Sequence, residues 1–171
     1  RNDFQALIDA YRYPSELTTK QLTEIRLVKA RVENERIPAG VSPLRHLKLG
    51  PGGLSDVEWL VQMLQLRFAH QHEGLKSIGT LEPLALLAEA GLVSKSDSET
   101  LTEAWILASR IRGALVLAND KFSDVLPVDR SQLEAVARIL NYGPGSATKL
   151  EQDHLVTTRR ARAVFERLFA E

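Results

Sequence analysis

Between Lys48 and Trp59 the chain reads Lys48-Leu49-Gly50-Pro51-Gly52-Gly53-Leu54-Ser55-Asp56-Val57-Glu58-Trp59, with a lysine and three glycines directly ahead of a helix start. Glycine lacks Cβ and tolerates positive φ, so such a backbone can approach a ligand closely. A helix beginning there offers unpaired amides and a partial positive charge to an anion, and Lys48 adds a point charge suited to phosphate. The spacing is not that of a P-loop, because no Gly-Lys-Ser/Thr follows, and no strand-helix-strand unit surrounds it as a dinucleotide fold requires. The same residues also fit a plain turn in which Ser55 and Glu58 form a capping box and Asp56 and Glu58 answer the helix dipole. Two residues apart, Asp56 and Glu58 diverge by about 200° around a helix, so at most one of them faces a ligand. The residues of this stretch that could meet an anion are Lys48 and the backbone of Gly50, Gly52 and Gly53, with either Asp56 or Glu58 beside them.

Other chemistry-bearing residues are more scattered. His70 and His72 diverge on a helix and lack a third ligand, so no metal site is expected. His154, between Leu150 and Leu155, fits a partly buried helix residue better than a catalytic base. Arg110 and Arg112 lie among apolar neighbours and suit pairing with carboxylates or helix ends. Arg159, Arg160, Arg162 and Arg167 crowd the last helix, where cations answer its C-terminal dipole or form a docking patch. No nucleophile stands beside a base and no Asp-x-Asp occurs, so no catalytic residue is assigned.

Positioning these residues falls to helices. Apolar residues recur at three and four, and alternation is nearly absent. A short helix is expected over Phe4, Leu7, Ile8 and Tyr11 behind Asp3, stopped by Tyr13-Pro14. A second opens at Thr19 with the stripe Leu22, Ile25, Val28 and Val32. Its other faces, with Glu24, Arg26, Lys29, Arg31, Glu33, Glu35 and Arg36, have the mixed charge of a solvated surface. From 34 to 54 the period fails and Pro and Gly accumulate, a length of loop that tends to be functional or linking. Helices follow from Ser55 to about Gln71, from Thr80 to a left-handed cap at Gly91, and from about Asp97 to Asn119. Capping-box patterns at Asp129/Gln132 and Thr148/Glu151 open the last two. The fold class expected is all-α, a bundle of about six to seven antiparallel helices. Its parts are a helical arm over 1–36, a Gly/Pro-rich loop over 37–54 and the bundle proper over 55–171.

Composition bounds the partners. With 171 residues, 22 Lys plus Arg and 22 Asp plus Glu, the chain carries no net charge, which argues against nucleic acid or an anionic membrane as main partner. Hydrophobic residues at 44% describe a folded protein rather than a disordered one. Cysteine is absent, which excludes disulfides and thiolate sites and suits a cytoplasmic protein. No apolar run approaches the ~20 residues of a membrane span. The opening Arg1-Asn2-Asp3 reads as the start of a piece of something longer.

The run Lys48 to Trp59, continuing Leu60-Val61-Gln62 and Leu64-Gln65-Leu66-Arg67-Phe68-Ala69-His70, resembles the motif of glutamine-synthetase adenylyltransferases. The related PII-protein uridylyltransferases carry a looser version. Val28-Lys29-Ala30-Arg31-Val32-Glu33, Arg112-x-Ala114-Leu115, Asp124-Val125-Leu126-Pro127 and the Arg-rich helix from Arg159 to Phe169 extend the likeness over most of the chain from about residue 20. The resemblance implies a multidomain nucleotidyltransferase that uses ATP and Mg2+ to move AMP onto a tyrosine of glutamine synthetase, here represented by the helical domain after the C-terminal catalytic domain. The implied partners are glutamine synthetase, its own nucleotidyltransferase domain and the PII signalling protein. The family's Gly-Ser and Asp-x-Asp have no match, so the piece is expected to be inert alone, with the metal and ATP ligands mainly on the catalytic domain. By the same resemblance, Lys48, Gly50, Gly52, Gly53, Asp56 and Glu58 face the cleft toward that domain. An alternative is a regulatory module that binds glutamine synthetase, PII or glutamine without touching ATP.

Overall fold

The three-and-four spacing is realised as six α-helices in a computed structural model that describes residues 8–9, 11–120 and 122–170. They are α1 (Thr19–Glu35), α2 (Leu54–Phe68), α3 (Leu81–Glu89), α4 (Lys95–Asn119), α5 (Arg130–Ile139) and α6 (Ala147–Ala170), with 3-10 turns at Pro43–Arg45 and Glu73–Leu75. Among the described residues there is no strand, only an isolated antiparallel bridge between His46 and Val125. The fold is an all-α helical bundle.

Burial divides the core in two. One apolar cluster joins α2, α3, the first half of α4 and the second half of α6 through residues such as Val57, Leu60, Leu84, Leu101, Ala161 and Phe165. The other joins the second half of α4, α5 and the start of α6 through Ile111, Leu115, Leu133, Val136 and Leu150, and takes in Leu47 and Leu126 from the loops. Helices α4 and α6 run through both and pack most extensively on each other. These two long helices are the frame on which the loop over 36–53 is mounted.

Some helix ends fall where the sequence places them and others do not, and the caps show why. Phe4, Leu7 and Asp3, assigned to a first helix, lie outside the described residues; Tyr11 is 84% exposed, and it is Tyr13 that enters the core. Helix α1 begins behind Thr18, whose hydroxyl accepts from the Gln21 amide while the Gln21 side chain accepts from the Thr18 amide. The apolar stripe of α1 is only partly covered, with Val28 47% exposed, and its one fully buried residue is Lys29. Helix α2 ends at Phe68, and Gly74 falls in the following 3-10 turn. Helix α4 starts at Lys95 because Ser94 accepts from the Asp97 amide. Asp129 caps α5 as its spacing requires, accepting from the Gln132 amide. The Thr148/Glu151 box does not form, since α6 begins earlier, at Ala147. Glu134 of α5 instead accepts from the amide of Ala147, the first residue of α6, and from that of Gly145 just ahead of it.

Candidate functional site

The motif loop is woven into the molecule by its own backbone. Leu47 donates to the Asp124 carbonyl at 2.7 Å and Leu126 to the Arg45 carbonyl at 2.8 Å, so the loop lies alongside 124–126. Arg45 reinforces this contact, donating to the carbonyls of Leu126 and Pro127 and pairing with Glu151. Within the loop Gly50 donates to the His46 carbonyl, Leu49 to His46 Nδ1 and Gly53 to the Gly50 carbonyl. At the start of α2, Leu54 donates to Leu47, Ser55 to Lys48 and Asp56 to Gly53. The first amides of α2 are therefore engaged by the chain's own carbonyls, and the amide cradle that the glycine spacing implies is filled from within. The capping box of Ser55 and Glu58 is absent too: Gly53 is the N-cap, and no side chain caps it.

The glycines serve the same close weave. Gly52 has φ +71°, and an added Cβ there would lie 1.8 Å from the Thr158 carbonyl oxygen of α6. At Gly50 it would lie 2.2 Å from the Pro43 carbonyl oxygen. Backbone approaches backbone here, at distances that only a residue without Cβ permits.

Asp56 turns inward, 1% exposed, and is the centre of a charge network. Lys29 Nζ lies 2.5 Å from its Oδ1, while Oδ2 accepts from the Gly52 amide at 2.7 Å and pairs with Arg162 Nη1 at 3.0 Å. Glu33 closes a ring, 2.8 Å from Lys29 and 2.6 Å from Arg162, and Glu166 pairs with Arg162 Nε at 2.7 Å. The Phe165 ring carries Lys29 and Arg162 at 5.2 and 5.1 Å from its centroid. Three carboxylates thus surround two cations. Burial alone pushes the Glu33 carboxyl up, but hydrogen bonds and charge from Lys29 and Arg162 outweigh it and leave its pKa below the ordinary value. Burial likewise works against the Arg162 cation, and Glu166, Glu33 and Asp56 together more than reverse that, raising its pKa. Removing one member of the buried Lys29–Asp56 pair would cost about 3–5 kcal/mol, because the other charge is left uncompensated.

Lys48 and Glu58 differ from Asp56. Both are half-buried, and neither side chain makes a hydrogen bond or ion pair among the described residues. Beside the loop a groove of about 480 Å³ runs between Leu44, Pro51 and the outer face of α6, where Leu155, Thr158, Arg159 and Arg162 line it. Magnesium demands several unpaired oxygen ligands in near-octahedral array. Asp56 is spent on two cations and an amide, so these residues do not by themselves fit a magnesium site, and no group of three His, Asp or Glu suited to a metal occurs among the described residues.

The remaining candidates are placed plainly. His154 is 2% exposed and its ring lies beside the Leu44 carbonyl, while its Nδ1 has no partner among the described residues. Arg112 pairs with Asp124 at 2.5 Å and covers the Phe122 ring; Arg110 reaches only the Leu140 carbonyl, at 3.5 Å. Arg167 pairs with Asp97, while Arg159 and Arg160 are exposed. His70 hydrogen-bonds Gln71 and meets no metal-ligating cluster. The residues that sequence reasoning passed over are Lys29, Glu33 and the inward role of Arg162. The one local trace was the four-residue spacing of Lys29 and Glu33.

The model of the family described as GlnD PII-uridylyltransferase matches residues 25–169. Curated proteins named bifunctional glutamine synthetase adenylyltransferase/adenylyl-removing enzyme are similar over nearly the whole chain. That of Leifsonia xyli subsp. xyli is 52% identical over 167 residues, covering 98% of this chain and 17% of the relative. That of Streptomyces coelicolor is 48% identical over 167 residues, covering 97% and 17%. That of Cutibacterium acnes is 42% identical over 169 residues, covering 98% and 17%. The chain thus spans 17% of the length of the curated relatives it matches.

Proposed function

We propose that this chain, which belongs to the GlnD PII-uridylyltransferase family, is the helical domain of a glutamine synthetase adenylyltransferase and packs beside that enzyme's catalytic nucleotidyltransferase domain. The whole enzyme transfers AMP from ATP, with Mg2+, to a tyrosine of glutamine synthetase in the cytoplasm. Metal and nucleotide are held mainly by the catalytic domain, and this domain contributes the loop bearing Lys48, Gly50, Gly52, Gly53, Asp56 and Glu58 to the cleft between the two. The supporting observation is the contrast within that motif. Its backbone and Asp56 are locked internally, whereas the Lys48 and Glu58 side chains have no partner among the described residues. Two opposite charges, one on a loop fastened through its backbone and one on α2, are pre-organised for groups supplied from outside.

The test uses a full-length adenylyltransferase carrying this domain. Lys48→Ala is expected to lower the adenylylation rate by about tenfold or more, the scale of one charge-assisted contact, with an unchanged melting temperature. Near-normal activity in both Lys48→Ala and Glu58→Gln would remove the cleft assignment. Gly53→Val is a poor probe, since its Cβ would lie 2.6 Å from the Leu47 carbonyl oxygen and disturb the loop itself.

A second reading, a docking module for glutamine synthetase or the PII protein without nucleotide contact, rests on the groove of about 480 Å³ and its exposed Arg159. Binding of either protein to the chain, lost in Arg159→Glu and unaffected by Lys48→Ala, would favour it.

A further inference from the structure

Helix α1 is attached to the bundle in an unusual way. Seventeen residues long, it buries only Lys29 completely. Leu22 and Ile25 touch the rim of the first core cluster, while Leu27 and Val28 remain 62% and 47% exposed. Among the described residues it packs extensively on no other helix. An opening of about 250 Å³ lies between α1 and α6, lined among others by Arg26, Lys29, Glu33, Arg162 and Phe165. Arg26 crosses this seam to donate through Nε to the Phe169 carbonyl at 2.8 Å, yet its buried Nη2 has no partner among the described residues. The apolar contribution to docking is therefore thin and the seam is imperfectly filled.

What crosses the seam is charge. Lys29 reaches Asp56 in the first turn of α2, and Glu33 reaches Arg162 in α6. Because Asp56 also binds Arg162, all three elements meet at one point. Ion pairs of this kind are directional, and removing one member leaves its partner uncompensated, so the ring favours one register.

We infer that Lys29, Glu33, Asp56 and Arg162 form a latch that holds α1 at a fixed angle to the bundle, and that opening the latch frees α1 as a unit while the bundle stays folded. The motif Gly-Gly-x-Ser-Asp then has a positioning role, in which Gly52 and Asp56 fasten α1 to the bundle. The inference concerns this chain's own architecture and stands apart from the cleft assignment of Lys48 and Glu58.

Amide hydrogen exchange on the 171-residue chain tests it. In Arg162→Met, exchange over 19–35 is expected to rise about tenfold or more, and exchange over 103–115 and 133–137 to stay as in the parent. Emission of Trp59, which faces Ile25 and Val28 across an opening, should shift to the red as the arm leaves. Should Arg162→Met not fold, Glu33→Gln removes a half-buried member and leaves Asp56 paired with both cations. When both fold, the double variant should exceed the larger single effect by little, since the two residues act as one pair. Unchanged exchange over 19–35, a rise shared equally by α4, or effects that simply multiply in the double variant would each overturn the latch.

Discussion

Gly52 shows how one residue can be fixed by two independent demands. Its φ of +71° excludes most side chains, and the Thr158 carbonyl occupies the place of a Cβ. Gly52→Ala is expected to destabilise the chain by roughly 3 kcal/mol, from left-handed strain plus displacement of backbone. Gly113 offers the control: it is helical, exposed, without positive φ, and has open space around it. Gly113→Ala should stabilise by about 0.5–1 kcal/mol through helix propensity and a less flexible unfolded chain. Urea unfolding of the two variants checks both signs. The glycine cluster was legible in the sequence because composition marks it. Its reason was not, because the partner lies 106 residues away on α6 in a contact made by backbone, which has no residue type to read. Lys29 was misplaced for a related cause. Lysine on a helix face is ordinarily solvated, and only Asp56 on another helix, with Glu33, makes its burial affordable.

Helices were found from the sequence because amphipathic period is a local property, and the same holds for caps built within one segment, such as Asp129 on α5. The start of α6 is different. Its amides are served by Glu134, from a neighbouring helix, so the nearby Thr148/Glu151 pattern misleads. Thr148 and Glu151 both bind Arg130 instead, across to α5. Glu134→Gln should therefore lower the melting temperature more than Thr148→Ala does, in parallel calorimetric scans. The pH dependence carries a sign. The Gly145 amide, against a smaller desolvation and helped by Arg138 and Ala147, draws the Glu134 pKa below its ordinary value. The folded state then binds its proton less readily than the unfolded one, so the stabilisation is present above the ordinary carboxylate range and is lost on acidification through it. Glu134→Gln should flatten that part of the profile. The bridge between His46 and Val125 had no comparable trace, since a single pair of residues has no period.

At the scale of the whole molecule, the loop over 36–53 sets Leu47 into the second core cluster and meets α6 at Gly52, and two buried histidines lie beside it. His46 accepts from the Leu49 amide through Nδ1, so the ring is held neutral with its proton on Nε2. Burial lowers its pKa and Arg112 adds to this, against the opposing charge of Asp124. His154 is lowered by burial first and by Arg45 second, against its bond to the Leu44 carbonyl. Both rings bind a proton more readily in the unfolded chain, so their contribution is complete above the ordinary histidine pKa, about 6.5, and is lost as pH falls below it. The melting temperature should fall between pH 7 and pH 5, before the carboxylates begin to titrate. His154→Gln can keep a donor to Leu44 while removing the titration, and is expected to reduce that fall and leave the loss below pH 5 in place. Equal slopes for parent and variant between pH 7 and pH 5 would show that His154 does not link protonation to the fold. Because Glu33 titrates only in the lower window, the latch on α1 should open there and not in the histidine range. Hydrogen exchange over 19–35 at pH 6 should therefore match its intrinsic-rate-corrected value at pH 7, even where the melting temperature has already dropped.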